Sequence, residues 1–160
     1  LRDAVGSLER LESGESSKVD PLHFAVAHPS HVIAMLKDVP EGSSAHENPN
    51  PALRPKSGYN TTYKRLRWDE PSSTISTTFG MISGSRNVHP QDTRSLTIRE
   101  ALRCQSFPDD FVVFGSLGDI RTMIGNAVPP GLGAAIAGAV LTMGKRAAPS
   151  VRKMVKVSRL

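Results

Sequence analysis

Directly after Pro129-Pro130 the chain runs Gly131-Leu132-Gly133-Ala134-Ala135-Ile136-Ala137-Gly138-Ala139-Val140-Leu141, without one polar side chain. Proline's fixed backbone dihedral suits a first helical turn, so this pattern predicts a helix opening at the proline pair. A helix apolar on nearly every face wants burial on nearly every face, which restricts the folds that can hold it. Its glycines, Gly131, Gly133 and Gly138, each cost roughly 1 kcal/mol relative to alanine in a helix interior. Close packing against another element would offset that. With 160 residues, 38% of them hydrophobic, the chain can form one modest domain or one lobe of something larger, and composition alone does not separate these. The apolar run from Gly131 to Met143 falls short of the roughly 20 residues that span a bilayer, so no membrane partner is expected. The N-terminus lacks the ordered charged, apolar and small-residue regions of a signal peptide. It begins at Leu1 rather than Met, which points to processing, trimming or a fragment.

Charge is segregated along the chain. Residues 1–50 carry four basic and eight acidic side chains, a net of −4. Arg54, Lys56, Lys64, Arg65 and Arg67 follow within residues 52–67 with no acid among them. Lys145, Arg146, Arg152, Lys153, Lys156 and Arg159 make a second acid-free stretch in residues 145–160. A chain of net charge +5 with two such stretches suits a polyanion partner, although solvated surfaces carry similar runs. A single cysteine, Cys104, excludes an internal disulfide and zinc-finger spacing, and favours a reducing compartment. His23, His28 and His31 raise the question of a metal, but no acidic or thiolate partner sits at useful spacing. They read as a polar helix face, and no metal is expected.

Two helix-like pieces occupy residues 1–11 and 22–36, the second interrupted by Pro29. Residues 41–57, rich in Pro, Ser, Asn and Gly, read as a loop. Short β-branched segments alternate with turn residues from Gly58 to His89. The clearest strand is residues 73–79, with Ile75, Thr77 and Phe79 on one face and Thr74, Ser76 and Thr78 on the other. Thr97 and Glu100 fit a capping box that starts a helix, and Pro108 stops that helix after Phe107. Past Met143 the basic tail reads as disordered.

Two blocks carry a family resemblance. Arg94-Ser95-Leu96-Thr97-Ile98-Arg99-Glu100-Ala101-Leu102-Arg103, continuing through Gln105-Ser106-Phe107-Pro108-Asp109-Asp110-Phe111, resembles the ninth shared block of cytosine carbon-5 DNA methyltransferases. Ile124-Gly125-Asn126-Ala127-Val128-Pro129-Pro130 and the following helix resemble the tenth and last, and the gap between them, with Phe114-Gly115, is of the family's length. Upstream, Tyr63-Lys64-Arg65-Leu66-Arg67-Trp68-Asp69-Glu70-Pro71 with Thr74-Ile75, then Gly84 to His89-Pro90, is similar to the recognition-domain core of the bacterial enzymes. The likeness covers residues 59–143 and, weakly, the helix at 1–11. Two ordered blocks at proper spacing are far more specific than one short motif.

The resemblance implies methyl transfer from S-adenosylmethionine to carbon 5 of a cytosine flipped out of duplex DNA, because that carbon is inaccessible within the stack. It also implies a cysteine after a proline as nucleophile, a glutamate in a Glu-Asn pair at the ring nitrogen, and an N-terminal Gly-rich cofactor loop. Here there is no Pro-Cys, no Glu-Asn-Val and no such loop, and Glu47-Asn48 precedes Pro49 with no cysteine block ahead of it. No catalytic residue is therefore expected. Cys104 follows Arg103 mid-helix and reads as a half-buried structural thiol.

What remains is recognition and completion of the site. Arg65 and Arg67 alternate along an extended segment and can share a face, and Arg86 lies in the following turn. By resemblance these three stand where related enzymes place base-reading arginines, able to pair with guanine O6 and N7. Phosphate contact or plain solvation is the competing reading for each. Lys56 and Lys64 are read as phosphate contacts. Arg94 is implied to brace the recognition lobe by bonding backbone groups, a role that suits a multidentate guanidinium. Asn126, with Ala127 and Val128 beside it, is the candidate contact for S-adenosylmethionine. It is read as lying just before a helix N-terminus, with an amide able to meet both ends of a methionine moiety.

The expected fold is α+β. Residues 1–39 are connecting helices, 40–110 a small target-recognition lobe that includes the ninth block, 111–143 a return segment and helix completing a doubly wound catalytic lobe, and 144–160 a basic tail. The expected partners are duplex DNA and the N-terminal catalytic half, supplied as a separate subunit or as the missing part of one chain. The resemblance also implies the bacterial cytoplasm, at the nucleoid, and a place in restriction-modification. Two rivals stand beside this reading: a non-enzymatic DNA-binding remnant, and a protein-interaction subunit whose basic stretches are only solvated.

Overall fold

The computed structural model describes residues 1–147, with side chains up to Gly144. Five α-helices follow one another: α1 (Arg2–Val5), α2 (Ser30–Lys37), α3 (Ile98–Cys104), α4 (Leu117–Asn126) and α5 (Pro130–Ala147), with 3-10 turns at Ala45–Glu47 and Pro51–Leu53. Residues 1–127 form one compact unit and the residues from Val128 onward form another. The boundaries read near residues 40 and 110 both fall inside the first unit.

Among the described residues no continuous β-ladder forms, so the β half of the expected α+β lobe is reduced to isolated bridges. These are Ser16 with Phe24, Ser44 with Lys64, Arg65 with Val88 and Val88 with Ser95. The strand expected over residues 73–79 is absent. Ile75 and Phe79 are buried while Thr77 is exposed, which is not a strand's alternation. The chain turns instead, with Phe79 N–H donating to Ser76 O (3.0 Å) and Met81 N–H to Thr78 O (2.8 Å). Ser76 Oγ accepts from Thr78 N–H (3.4 Å), the local hydroxyl competition that draws backbone away from a ladder. Packing also excludes a neighbouring strand, since a Cβ at Gly125 would collide with the backbone of Ser76 and Thr77.

The first two helices are shorter than expected. α1 ends at Val5, capped by Gly6, and α2 begins only after Pro29, whose ring disfavours helix at the residue before it. α3 opens on Thr97, whose side chain accepts from Glu100 N–H while the Glu100 carboxylate accepts from Thr97 N–H, so the capping box is present. It ends at Cys104, before Pro108 can act. Ser106 takes a left-handed conformation (φ 63°), and Phe107 N–H donates to Leu102 O (3.0 Å). This is a Schellman closure built on serine. α4 was not foreseen, although Ser116 and Asp119 form a capping box of the same type.

Leu66, Ile75, Phe79, Leu96, Ile98, Ala101, Leu102 and Ile124 make the main core, joining α3 and α4 to the loops before them. A second cluster gathers Val32, Leu36, Val39, Ala45, Ile82 and Val88. His23 is buried between Thr97 Oγ1 (3.0 Å) and Glu9 O (2.7 Å), and His28 Nε2 accepts from Ser95 N–H (3.2 Å). These two precede α2, so the three histidines do not share a helix face.

Taken by itself, α5 exposes Leu132, Ile136, Val140, Leu141 and Met143. The segment Leu117–Gly144 contains an 18-residue window of mean hydropathy 1.4 and so passes, by length and composition only, as able to cross a membrane. Its helix is broken between Asn126 and Pro130, and Asp119 and Arg121 lie within it. Residues 144–147, read as tail, continue α5. The rest of the tail lies outside the described residues.

Candidate nucleic-acid interface

Lys64, Arg67 and Arg86 are exposed and line one cavity of about 220 Å³ with Gly42, Glu70 and Ser73. Arg67 Nε lies 3.5 Å from Glu70 Oε1, both partners open to water, an arrangement that contributes little by itself and leaves the guanidinium free to rearrange. Gly42 permits this placement: its φ of +77° favours glycine, and a Cβ there would run into the Arg67 guanidinium. Ser73 donates to Asn87 Oδ1 (2.7 Å), tying the segment to the Arg86 turn. Through Ser73 and Arg86 the cavity adjoins a second, of about 520 Å³, lined by Ser72, Thr74, Ser76, Gly84 and Ser85. A row of hydroxyls beside these cations supplies hydrogen-bond donors and positive charge, groups that can meet phosphates and base edges.

Arg65 also lines this cavity, but its guanidinium is turned toward the interior. The residue is 3% exposed. Its Nη1 donates to His89 O (2.9 Å) and Asp92 O (2.7 Å), and its Nη2 to Leu36 O (3.0 Å) and Thr93 Oγ1 (3.1 Å). A guanidinium bonded to internal acceptors is not presented to a base edge, which counts against the expectation that Arg65 reads one. The segment Arg65-Leu66-Arg67 is held by single bridges rather than a ladder, and the two arginines point into different environments. Lys56 is exposed and lies apart from the cavity lining.

Beneath the interface lies a buried ionic network. Arg94, 0% exposed, donates to Leu11 O (2.7 Å), to both Glu100 oxygens (2.8 and 2.9 Å) and to Asp92 Oδ2 (3.0 Å). Arg10 reaches the same Asp92 at 2.8 Å. Burial opposes charge on Glu100, but the bonded Arg94 outweighs it and holds the carboxyl below its ordinary range. His89 stacks edge-on to Trp68 at 5.3 Å, and its Nδ1 accepts from Asp92 N–H (2.9 Å). Burial pushes its pKa down to about 4. The unfolded chain therefore binds a proton near pH 6.5 that the folded one refuses until about pH 4, and stability falls as pH drops through that window. Urea unfolding should show a loss of about 2 kcal/mol between about pH 7.5 and about pH 5, much reduced in His89→Gln. Equal losses in both proteins would exclude His89 as the cause.

Burial raises the Cys104 thiol to about 11, so it stays protonated and is no nucleophile at neutral pH. Asn48, of the stray Glu47-Asn48 pair, is buried and donates to Met35 O (2.7 Å), a structural task. Asn126 is exposed, but it is the last residue of α4 rather than a residue before a helix N-terminus. The orphan carbonyls and dipole of a helix C-terminus favour a cation, such as an ammonium, over a carboxylate. At the start of α5, Pro129 and Pro130 also lack the N–H groups an anion would need. Ala127 lines an apolar groove of about 260 Å³ with Phe111, Val113, Phe114, Met123 and Ile124. Val128, in the second unit, is exposed.

Residues 22–142 match the C-5 cytosine-specific DNA methylase family. The chain belongs to that family. It is 35% identical over 146 residues to the type II methyltransferase M1.HgaI of Avibacterium volantium, covering 81% of this chain and 41% of that protein. To M1.HphI of Haemophilus parahaemolyticus it is 38% identical over 142 residues, covering 88% and 36%. To M.PspPI of Psychrobacter sp. it is 37% identical over 144 residues, covering 84% and 34%. This methylase chain thus spans a little over a third of the length of these relatives. Sequence reasoning had missed Gln105, whose Nε2 donates to Ile124 O (2.6 Å) and clamps α3 to α4 within the ninth and tenth blocks.

Proposed function

We propose that this chain is the target-reading and site-completing part of a cytosine carbon-5 DNA methyltransferase, acting with an upstream catalytic part that carries the nucleophilic cysteine. The observation that carries the reading is the cationic cavity of Lys64, Arg67 and Arg86, continuous with a hydroxyl-lined depression, in a member of this family. Arg67 and Arg86 present guanidinium forks to guanine O6 and N7, while Lys64 and Lys56 hold phosphates. The relatives' type II names support a place in restriction-modification in a bacterial cytoplasm. A remnant that only binds DNA is disfavoured by α5, whose apolar side chains call for a partner surface.

S-adenosylmethionine fits one end of the segment this chain offers. The exposed Asn126 amide and the C-terminal carbonyls of α4 suit its ammonium, and Ala127 with the adjoining groove offers apolar surface. Val128 continues that segment. When bound, the cofactor supplies the methyl group. The residues for its carboxylate and the rest of its site belong to the catalytic part.

The test is transfer of labelled methyl from S-adenosylmethionine to duplex DNA by this chain alone and with its catalytic part. Activity only in the combination is expected, and activity from the chain alone would overturn the division of labour. In the complete enzyme Arg67→Ala and Arg86→Ala should each lose about 1–3 kcal/mol of discrimination at one base pair, whereas Lys64→Ala should weaken all sequences alike. Full discrimination in both arginine variants would remove the base-reading assignment.

A further inference from the structure

We propose that Arg121 is a binding site for a DNA backbone phosphate, an inference that rests on the reading just given. Arg121 and Gly125 lie one turn apart on α4 and share a face. That face is pressed on the turn at residues 76–80. A Cβ on Gly125 would strike the backbone of Ser76 and Thr77, and a Cβ on Gly80 would strike the Arg121 guanidinium. The half-buried guanidinium is thus packed against this turn.

Its charge, however, is unanswered. Arg10, Arg94, Arg99 and Arg103 each pair with an aspartate or glutamate, and Arg65 is ringed by carbonyls. Among the described residues no acidic side chain pairs with Arg121, and its Nε, like Arg65 Nε and Arg99 Nη1, is buried without a hydrogen-bond partner. Burial lowers its pKa and no carboxylate raises it again. Even partial withdrawal of a cation from water without a counter-charge is unfavourable, so an arriving anion would be favoured at Arg121.

The surroundings favour phosphate as that anion. Thr77 and Thr78 are exposed in the same turn, and Ser76 Oγ lies 3.1 Å from Thr78 Oγ1. Arginine with serine and threonine hydroxyls is a common phosphate-contacting set. Ser76 also lines the depression that leads to Arg86 and the cationic cavity, so a strand seated there has a route toward Arg121. A carboxylate from the catalytic part is the competing anion.

The experiment measures duplex binding by the complete enzyme from about 0.05 to about 0.3 M salt, for wild type, Arg121→Gln and Arg121→Lys, with thermal unfolding of each. Arg121→Gln should lower the slope of log affinity against log salt by about 0.9 and weaken target and non-target DNA alike, roughly fivefold at about 0.15 M. Arg121→Lys should keep the slope. An unchanged slope in an Arg121→Gln enzyme of wild-type stability overturns the proposal. So does a normal slope combined with weakened association between the chain and its catalytic part, which would identify the carboxylate. If wild-type enzyme binds DNA without salt dependence, the DNA-reading function itself falls together with this inference.

Discussion

Arg94→Ala is expected to destabilise residues 1–127 by about 3–5 kcal/mol, enough to unfold much of a marginal domain. The loss comes less from missing attraction than from what is left behind. Glu100 and Asp92, both about 1% exposed, would keep their charges in the interior with Arg10 and neutral His89 as remaining neighbours, and Leu11 O would lose its donor. Trp68 fluorescence during urea unfolding reads the change directly. The double replacement Arg94→Ala with Glu100→Ala should be less harmful than the two single losses added together, because it removes charge and counter-charge at once. A single-variant loss below about 1 kcal/mol would show that water enters and solvates the network, contrary to the burial described.

Arg65→Ala should come next in size, at about 3 kcal/mol or more, and it separates stability from recognition. His89 O and Thr93 Oγ1 would lose the Arg65 donor, and Asp92 O and Leu36 O would be left with only backbone N–H donors, among them those of Arg94 and Val39. The space vacated by a buried guanidinium would add to the loss. Arg65→Lys should recover only part of the loss, since an ammonium cannot span four acceptors as a planar fork does. Compared at equal folded fraction, both variants should discriminate target DNA as wild type does. A stable Arg65→Ala protein that had lost discrimination would return this residue to the interface and overturn its placement in the core.

Arg65 and Arg67 also mark the limit of what the sequence conveyed. Both sit in Lys64-Arg65-Leu66-Arg67-Trp68, and local alternation treats them as equals. What parts them is the convergence of carbonyls from Leu36, His89 and Asp92, between 24 and 29 residues away in the chain. No local pattern encodes that. Features whose cause is local were legible: the Thr97 capping box, and the opening of α5 at the proline pair. The same signal at Ser116 and Asp119 was equally local and was overlooked. The false strand at 73–79 had a true two-residue alternation, but side-chain pattern cannot reveal that α4's Gly125 occupies the space a neighbouring strand would need. Asn126 shows the same limit, because its position at a helix end was visible while the sign of that end was not.

The isolated bridges carry a consequence for how such a protein diversifies. Ser44–Lys64, Arg65–Val88 and Val88–Ser95 fasten the chain at points, and the segments spanning 45–63 and 66–87 leave and return to those points without a register to maintain. In a ladder, one inserted residue turns every following side chain to the opposite face. Between point attachments an insertion disturbs only the segment that receives it, and doubling a loop's length costs about 0.6 kcal/mol in closure entropy. Segments between the attachments can therefore be lengthened or exchanged while the buried scaffold beneath is inherited unchanged, a freedom that would serve the target reading proposed above.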